Sequence, residues 1–148
     1  MKHSQKIVLT GAAGLVGQNL VPRLKALGFD NIIAIDKSAA NTEILRRLHP
    51  ELSIIQADLA EAGPWQESFA GAETLIINHA QIGALTEEPF LRNNVEATKL
   101  VLGTAREHRV PYAVHISSSV LNSLATDFYT ESKRAQEQLV IESGLPVC

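Results

Sequence analysis

Residues 6–17 read KIVLT-GAAGLVG, a short apolar run that breaks into glycines at Gly11, Gly14 and Gly17. Lys6 to Thr10 has no polar alternation, which predicts a strand buried on both faces of a parallel sheet. The glycines predict a sharp turn whose backbone comes close to a phosphate, with the start of a helix behind it. That helix is expected over Leu15 to Leu27, because Leu15, Val16, Leu20, Val21, Leu24 and Leu27 form one stripe and Gly28 ends it. Pro22 lies inside the stripe and is expected to cost a hydrogen bond and bend the helix.

The same alternation continues down the chain. Strands are expected at Asn31 to Asp36, Leu52 to Ala57, Glu73 to Asn78 and Tyr112 to Ser117. Helices are expected at Asn41 to Leu48, Glu88 to Arg106 and Asp127 to Ser143. Trp65 and Phe69, four apart after Gly63-Pro64, predict a further helix packed on the sheet. Leu145 to Cys148 reads as the opening of a sixth strand, so the sequence is expected to be part of a longer protein. Strict alternation of strand and helix predicts an α/β fold, a doubly wound parallel sheet of the Rossmann type. Right-handed crossovers then put the ligand at the carboxyl ends of the strands.

Composition narrows the function classes. The chain has 148 residues, 45% apolar and 20% charged, with a net charge of −3, which suits one globular domain and gives no basic footprint for nucleic acid or an anionic membrane. Its one cysteine, Cys148, excludes an internal disulfide, and a reducing cytoplasm is expected. The stretch Ile7 to Val16 follows two lysines but is interrupted by Thr10, Gly11 and Gly14, so it reads as fold rather than signal peptide. The five histidines show no ligand spacing, and no metal site is expected. His79 is expected to be packed or hydrogen-bonded rather than catalytic.

Two further groups carry chemistry. Asp36 stands nineteen residues after Gly17 at the end of the second strand, where a carboxylate accepts from both hydroxyls of an adenosine ribose and disfavours a 2′-phosphate. NAD is therefore expected over NADP, with Lys37 next door softening the discrimination. Tyr129 and Lys133 lie four apart on a predicted helix and share a face. An ammonium beside a phenol favours the phenolate and so readies a tyrosine for proton exchange. A serine of the Ser117-Ser118-Ser119 run is placed to hydrogen-bond a substrate oxygen as charge develops.

Taken together, TGAAGLVG at 10–17, Asp36, Asp58-Leu59, INHA at 77–80, NNVEAT at 93–98, ISSS at 116–119 and YTESK at 129–133 resemble the short-chain dehydrogenase/reductase superfamily. The closer resemblance is to its extended branch, the NAD-dependent epimerase/dehydratase family, in motif order over nearly the whole chain. The resemblance implies that Gly11, Gly14 and Gly17, with Leu15 and Val16 between the last two, line the pyrophosphate. It implies that Asp36 holds the ribose, that Asp58 and Leu59 flank the adenine, and that Ala80 lies along the cofactor. Asn94 would support the loop and strand geometry. Tyr129 would be the acid/base, Lys133 would bind the nicotinamide ribose and tune the tyrosine, and Ser118, or its neighbour Ser119, would be the catalytic serine.

Three departures stand out. Gln81 replaces the small residue usual after Ala80, the Ser118 to Tyr129 interval is short, and the substrate-binding portion that follows the sixth strand in the family is not in these 148 residues. Residues 1–148 are thus expected to be an NAD-binding domain of an enzyme acting by hydride transfer on a sugar or nucleotide-sugar. The alternative is a non-catalytic NAD(P)-binding regulator. A homodimer through the helices at Glu88 to Arg106 and Asp127 to Ser143 is a further implication.

Overall fold

The computed structural model describes residues 4–148. Among the described residues five strands form one parallel sheet in the order β3-β2-β1-β4-β5. They are β1 (Ile7–Thr10), β2 (Ile32–Asp36), β3 (Ser53–Gln56), β4 (Thr74–Ile77) and β5 (Ala113–His115). All four pairings are parallel, with Thr10 level with Ile35 on one side and Ile77 on the other. This is the doubly wound sheet the alternation predicts. Every residue of β1 is buried, as its uninterrupted apolar run requires at the centre of a covered sheet.

The two faces of the sheet carry separate cores. On one, Ile7, Leu9, Ala34 and Ile76 meet Val21 of α1 (Leu15–Ala26) and Leu45 of α2 (Ala39–Leu48). On the other, Val8, Ile35, Leu75 and Ile77 meet Trp65, Phe69, Val101, Leu102 and Val140. Period two in each strand sends alternate side chains to opposite layers. Between β1 and β4 the chain order reverses, and a crevice opens there above the carboxyl ends of the strands.

Several elements differ from expectation in instructive ways. α1 runs unbroken through Pro22, which forgoes only its own hydrogen bond. α2 starts at Ala39, two residues early, because Ser38 caps it by accepting from the Asn41 N–H at 3.2 Å. Trp65 and Phe69 sit on a 3-10 turn, Pro64–Phe69, and meet edge to face at 5.8 Å. The long helix expected from Glu88 is not uniform. A short α3 (Glu88–Phe90) leads into a π-helical segment, Leu91–Glu96, before α4 (Ala97–Glu107). After β5 come a 3-10 turn at Ser119–Asn122 and α5 (Phe128–Ile141), capped by the Asp127 carboxylate. Beyond α5, Val147 bridges Ala113 in parallel and Cys148 exchanges hydrogen bonds with β5 at 2.8 and 3.1 Å, so the expected sixth strand begins in register.

Candidate active site

Thr10 ends β1, and Gly11 turns the chain with φ +63°. A Cβ on Gly11 would come within 2.7 Å of the His79 backbone, and one on Gly17 within 2.4 Å of the Ala12 carbonyl. Neither position has room for a side chain: Gly11 lets the loop pack against the chain just past β4, and Gly17 lets α1 pack against the loop. Gly14 differs. A Cβ there would meet only the Gly11 carbonyl at 3.5 Å, an ordinary contact, and Gly14 lines the cavity. It is also the N-cap of α1, with no capping side chain and no acidic residue in the first turn. The helix start therefore offers N–H groups and its dipole to an anion, which is the cradle a pyrophosphate needs.

Asp36 closes this end of the cavity. One carboxylate oxygen accepts from the Ala13 N–H at 3.0 Å and the other from the Ser38 N–H at 2.9 Å, so β2 braces the glycine loop directly. Each oxygen keeps a lone pair for a further donor. Beyond it, Asp58 accepts from the Ala60 N–H at 3.0 Å and from Arg92 at 2.6 Å, while Arg92 also reaches Glu61 at 2.6 Å. Burial pushes the Asp58 carboxyl up, but these donors outweigh it and hold its pKa below the usual carboxylate value. Leu59 is buried beside it.

The π-helical segment brings Asn93 to the cavity wall and sets Asn94 behind it. Asn94 is fully buried, accepts from the Gln81 N–H at 2.6 Å, and donates to the Gln81 carbonyl at 3.1 Å and to Ser132 at 2.9 Å. It fastens the loop after β4 to α5. Asn93 accepts from Lys37 at 2.7 Å and donates to the Gln81 side chain at 2.9 Å. The glutamine that replaces a small residue is thus turned along the rim towards Asn93 and the Gly83 carbonyl.

At the far end, α5 presents Tyr129 and Lys133 to the cavity together with Ile116 and Ser117 from the chain just past β5. Lys133 is 2% exposed and donates to the Ile116 carbonyl at 3.2 Å and to Gln136 at 2.5 Å. Burial lowers its pKa to about 8, with the nearby Glu137 charge opposing. His79 is held between Thr10 (Nδ1, 2.8 Å) and Thr98 (Nε2, 2.9 Å). Burial first, then the charges of Lys133 and His115, lowers its pKa to about 3, so it is neutral as well as hydrogen-bonded. His115 on β5 is the exception to good pairing. Both its ring nitrogens are buried without a partner, and burial with the Lys133 charge lowers its pKa to about 4.

These elements enclose a cavity of about 430 Å³. It gathers Gly11, Gly14, Leu15, Val16, Asp36, Asp58, Leu59, Ala80, Tyr129 and Lys133, all expected from the sequence. Gly17 and Asn94 stand behind the wall and shape it. Ser118 does not line the cavity. As the chain leaves β5 it becomes the cap of the 3-10 turn, its Oγ facing the Val120 N–H at 3.4 Å, and the lining serine is Ser117, which donates to Glu137 at 2.6 Å. Asn93 also lines the cavity, and Arg92 and Gln136 hold Asp58 and Lys133, none of them among the expected site residues. Gln136 had a signal: it lies three residues past Lys133 and one turn before Val140, a polar residue on the buried stripe of α5.

Comparison with known proteins gives the fold and the family. A ketoreductase of Stigmatella aurantiaca that acts on a farnesylated dihydroquinoline-1-oxide is 30% identical over 93% of this chain and 46% of its own length. WbmG of Bordetella bronchiseptica, solved with NAD, superposes with a TM-score of 0.85 at 20% identity, over 98% of this chain and 52% of that one. DesIV of Streptomyces venezuelae, a dTDP-glucose 4,6-dehydratase solved with NAD and TYD, gives 0.81 at 21% identity over 97% and 54%. The chain thus spans about half the length of the relatives it matches. The NAD dependent epimerase/dehydratase family profile matches residues 7–144, and the chain belongs to that family.

Proposed function

We propose that residues 1–148 are the NAD-binding part of an oxidoreductase of the epimerase/dehydratase kind, with the substrate-binding portion outside them. The observation that carries this reading is the single cavity joining an uncapped helix start, the Asp36 carboxylate and the Tyr129–Lys133 pair. NAD, when bound, supplies the site that accepts and returns hydride. The chain's own residues bind, orient and move a proton. The first-turn N–H groups of α1 take the pyrophosphate, Asp36 takes the ribose hydroxyls, and Asp58 with Leu59 borders the adenine. Lys133 keeps positive charge next to the phenol while Tyr129 removes or returns a hydroxyl proton of the substrate. A serine of 117–119 donates to the oxygen on which charge develops. Ile116 and Ile82 give the cavity apolar lining.

The substrate we propose carries a hydroxyl-bearing carbon and is of the sugar or nucleotide-sugar class. Support comes from solved relatives, WbmG with UDP and DesIV with TYD. A second copy of the chain meeting the α4 and α5 side belongs to the same reading. Calorimetric titration with NAD and NADP, alongside Asp36→Ala, tests the cofactor assignment. Tight NAD binding that weakens at least about tenfold in the variant, a loss on the scale of one charge-assisted hydrogen bond, is expected. A chain that melts cooperatively yet binds neither nucleotide would overturn it.

A further inference from the structure

Lys133 is the end of a buried chain of polar groups that crosses from α5 through α4 to β1 and β4. Gln136 is wholly buried, accepts from Lys133 through Oε1, and donates through Nε2 to the His79 carbonyl at 3.2 Å and to Thr98 Oγ1 at 3.0 Å. Both amide hydrogens are therefore committed. Turning the amide over would set its NH₂ group against an ammonium and its oxygen against a carbonyl, so only one orientation is available.

The protons along the rest of the chain then follow. Thr10 Oγ1 spends its one hydrogen on the Ile76 carbonyl, so His79 Nδ1 carries the ring proton, and Nε2, left as an acceptor, takes the hydrogen of Thr98, whose Oγ1 accepts from Gln136. His79 Nδ1–H donates to Thr10 Oγ1, which also accepts from the Asn78 N–H and donates to the Ile76 carbonyl at 3.2 Å. From Lys133 to the Ile76 carbonyl these hydrogen bonds run in one direction. A second proton on His79 would leave the Thr98 hydroxyl hydrogen without an acceptor in this chain.

Resting on the reading of Lys133 as a site residue, we infer that Gln136 is the positioning residue of Lys133, locked as an acceptor by Thr98 and His79 so that the ammonium is held at the cavity wall. Two of the three ammonium donors are spent on Ile116 and Gln136. The third is left for whatever occupies the cavity next to Tyr129. The other titratable groups around the ammonium are His79 at the end of β4, His115 on β5, and Glu137 and Tyr129 on α5. None of the hydrogen bonds made by Lys133 goes to them.

The test reads Lys133 itself, by the pH titration of its ¹³Cε signal in lysine-labelled full chain, assigned with Lys133→Arg and recorded without nucleotide. The intact chain is expected to titrate near 8. Gln136→Met removes the acceptor and should lower that value by about one unit, while Gln136→Glu adds a charge to it and should raise it by about one unit or more. A residue that only fills space would move both in the same direction or neither. Thr98→Val leaves Gln136 in place but unlocks it, and should broaden or shift the same signal should the Gln136 variants fail to melt cooperatively. A Lys133 titration unchanged within about 0.2 units in folded Gln136→Met and Gln136→Glu overturns the inference. So does an unchanged signal in folded Thr98→Val. Failure of NAD to bind would count against the proposed function and leave this titration standing.

Discussion

The two ends of the cavity are built by different means. At the nucleotide end the work is done by backbone: a turn at Gly11, close packing at Gly17, an uncapped helix start at Gly14, and one carboxylate, Asp36, tying β2 to the loop. At the Tyr129–Lys133 end it is done by side chains from distant parts of the chain, with Thr10, His79, Thr98 and Gln136 meeting across separations of 19 to 69 residues. A backbone site tolerates few changes of shape, and a side-chain network few changes of chemistry. Substitutions should therefore fail for different reasons at the two ends.

The largest effect on stability is expected from Gly17→Ala, whose Cβ would lie 2.4 to 2.6 Å from rigid backbone atoms of Gly11 and Ala12. A loss of about 3 kcal/mol in chemical denaturation is expected. Gly14→Ala is the control, costing about 1 kcal/mol or less as a poorer cap while still crowding NAD. Equal losses for the two would erase the distinction between the packing glycines and the ligand glycine.

Next comes Asp36→Ala. It removes an acceptor from the Ala13 and Ser38 N–H groups, so the stability of the nucleotide-free chain should fall by about 1–3 kcal/mol in addition to the loss of NAD affinity. An unchanged melt would mean that Asp36 serves the ligand alone.

The pH dependence sharpens the contrast, because its sources lie at the side-chain end. Unfolded, His79 and His115 take up protons near 6.5, whereas folded they wait until about 3 and about 4. Below pH 6.5 the unfolded chain binds more protons, so stability falls on acidification by about 1.4 kcal/mol per pH unit for each histidine. Lys133 acts in the alkaline range. Its folded pKa of about 8 lies below the ordinary 10.5, so stability should rise with pH between those values. His115→Phe, replacing a ring that has no polar partner, should flatten the acid slope at little cost at neutral pH. An acid slope equally steep in that variant would remove His115 from the account.

The smallest stability effect is expected at Tyr129, whose hydroxyl forms no hydrogen bond among the described residues. Tyr129→Phe should melt within about 0.5 kcal/mol of the parent. In a full-length protein that acts as proposed, the same change should lower turnover by a factor of about 10² or more. Ser117→Ala, Ser118→Ala and Ser119→Ala, compared there for turnover, would decide which hydroxyl of the run serves the proposed reaction.

The nucleotide end was legible in the sequence because its determinants are local. A strand, three glycines, a helical stripe and an acidic residue all fall within residues 6–36, and period and spacing alone order them. The same logic predicted five parallel strands and the opening of a sixth. Neither the π-helical turn at Leu91–Glu96 nor the departure of Ser118 from the cavity could be read that way. Each depends on which partners the neighbouring backbone finds. Asn94 spans to Gln81 and Ser132, and Ser118 turns to the Val120 N–H.

By itself, then, the order of residues determined the doubly wound sheet, the loop that suits an anion, and the shared face of Tyr129 and Lys133, since these follow from steric and hydrophobic rules acting over a few residues. Only the tertiary structure decided the proton arrangement from Lys133 to Ile76, the bracing of the glycine loop by Asp36, and the neutral, tethered state of His79. The physical reason is that a buried hydrogen bond has a direction and needs a partner, and sequence spacing does not specify partners that lie dozens of residues apart.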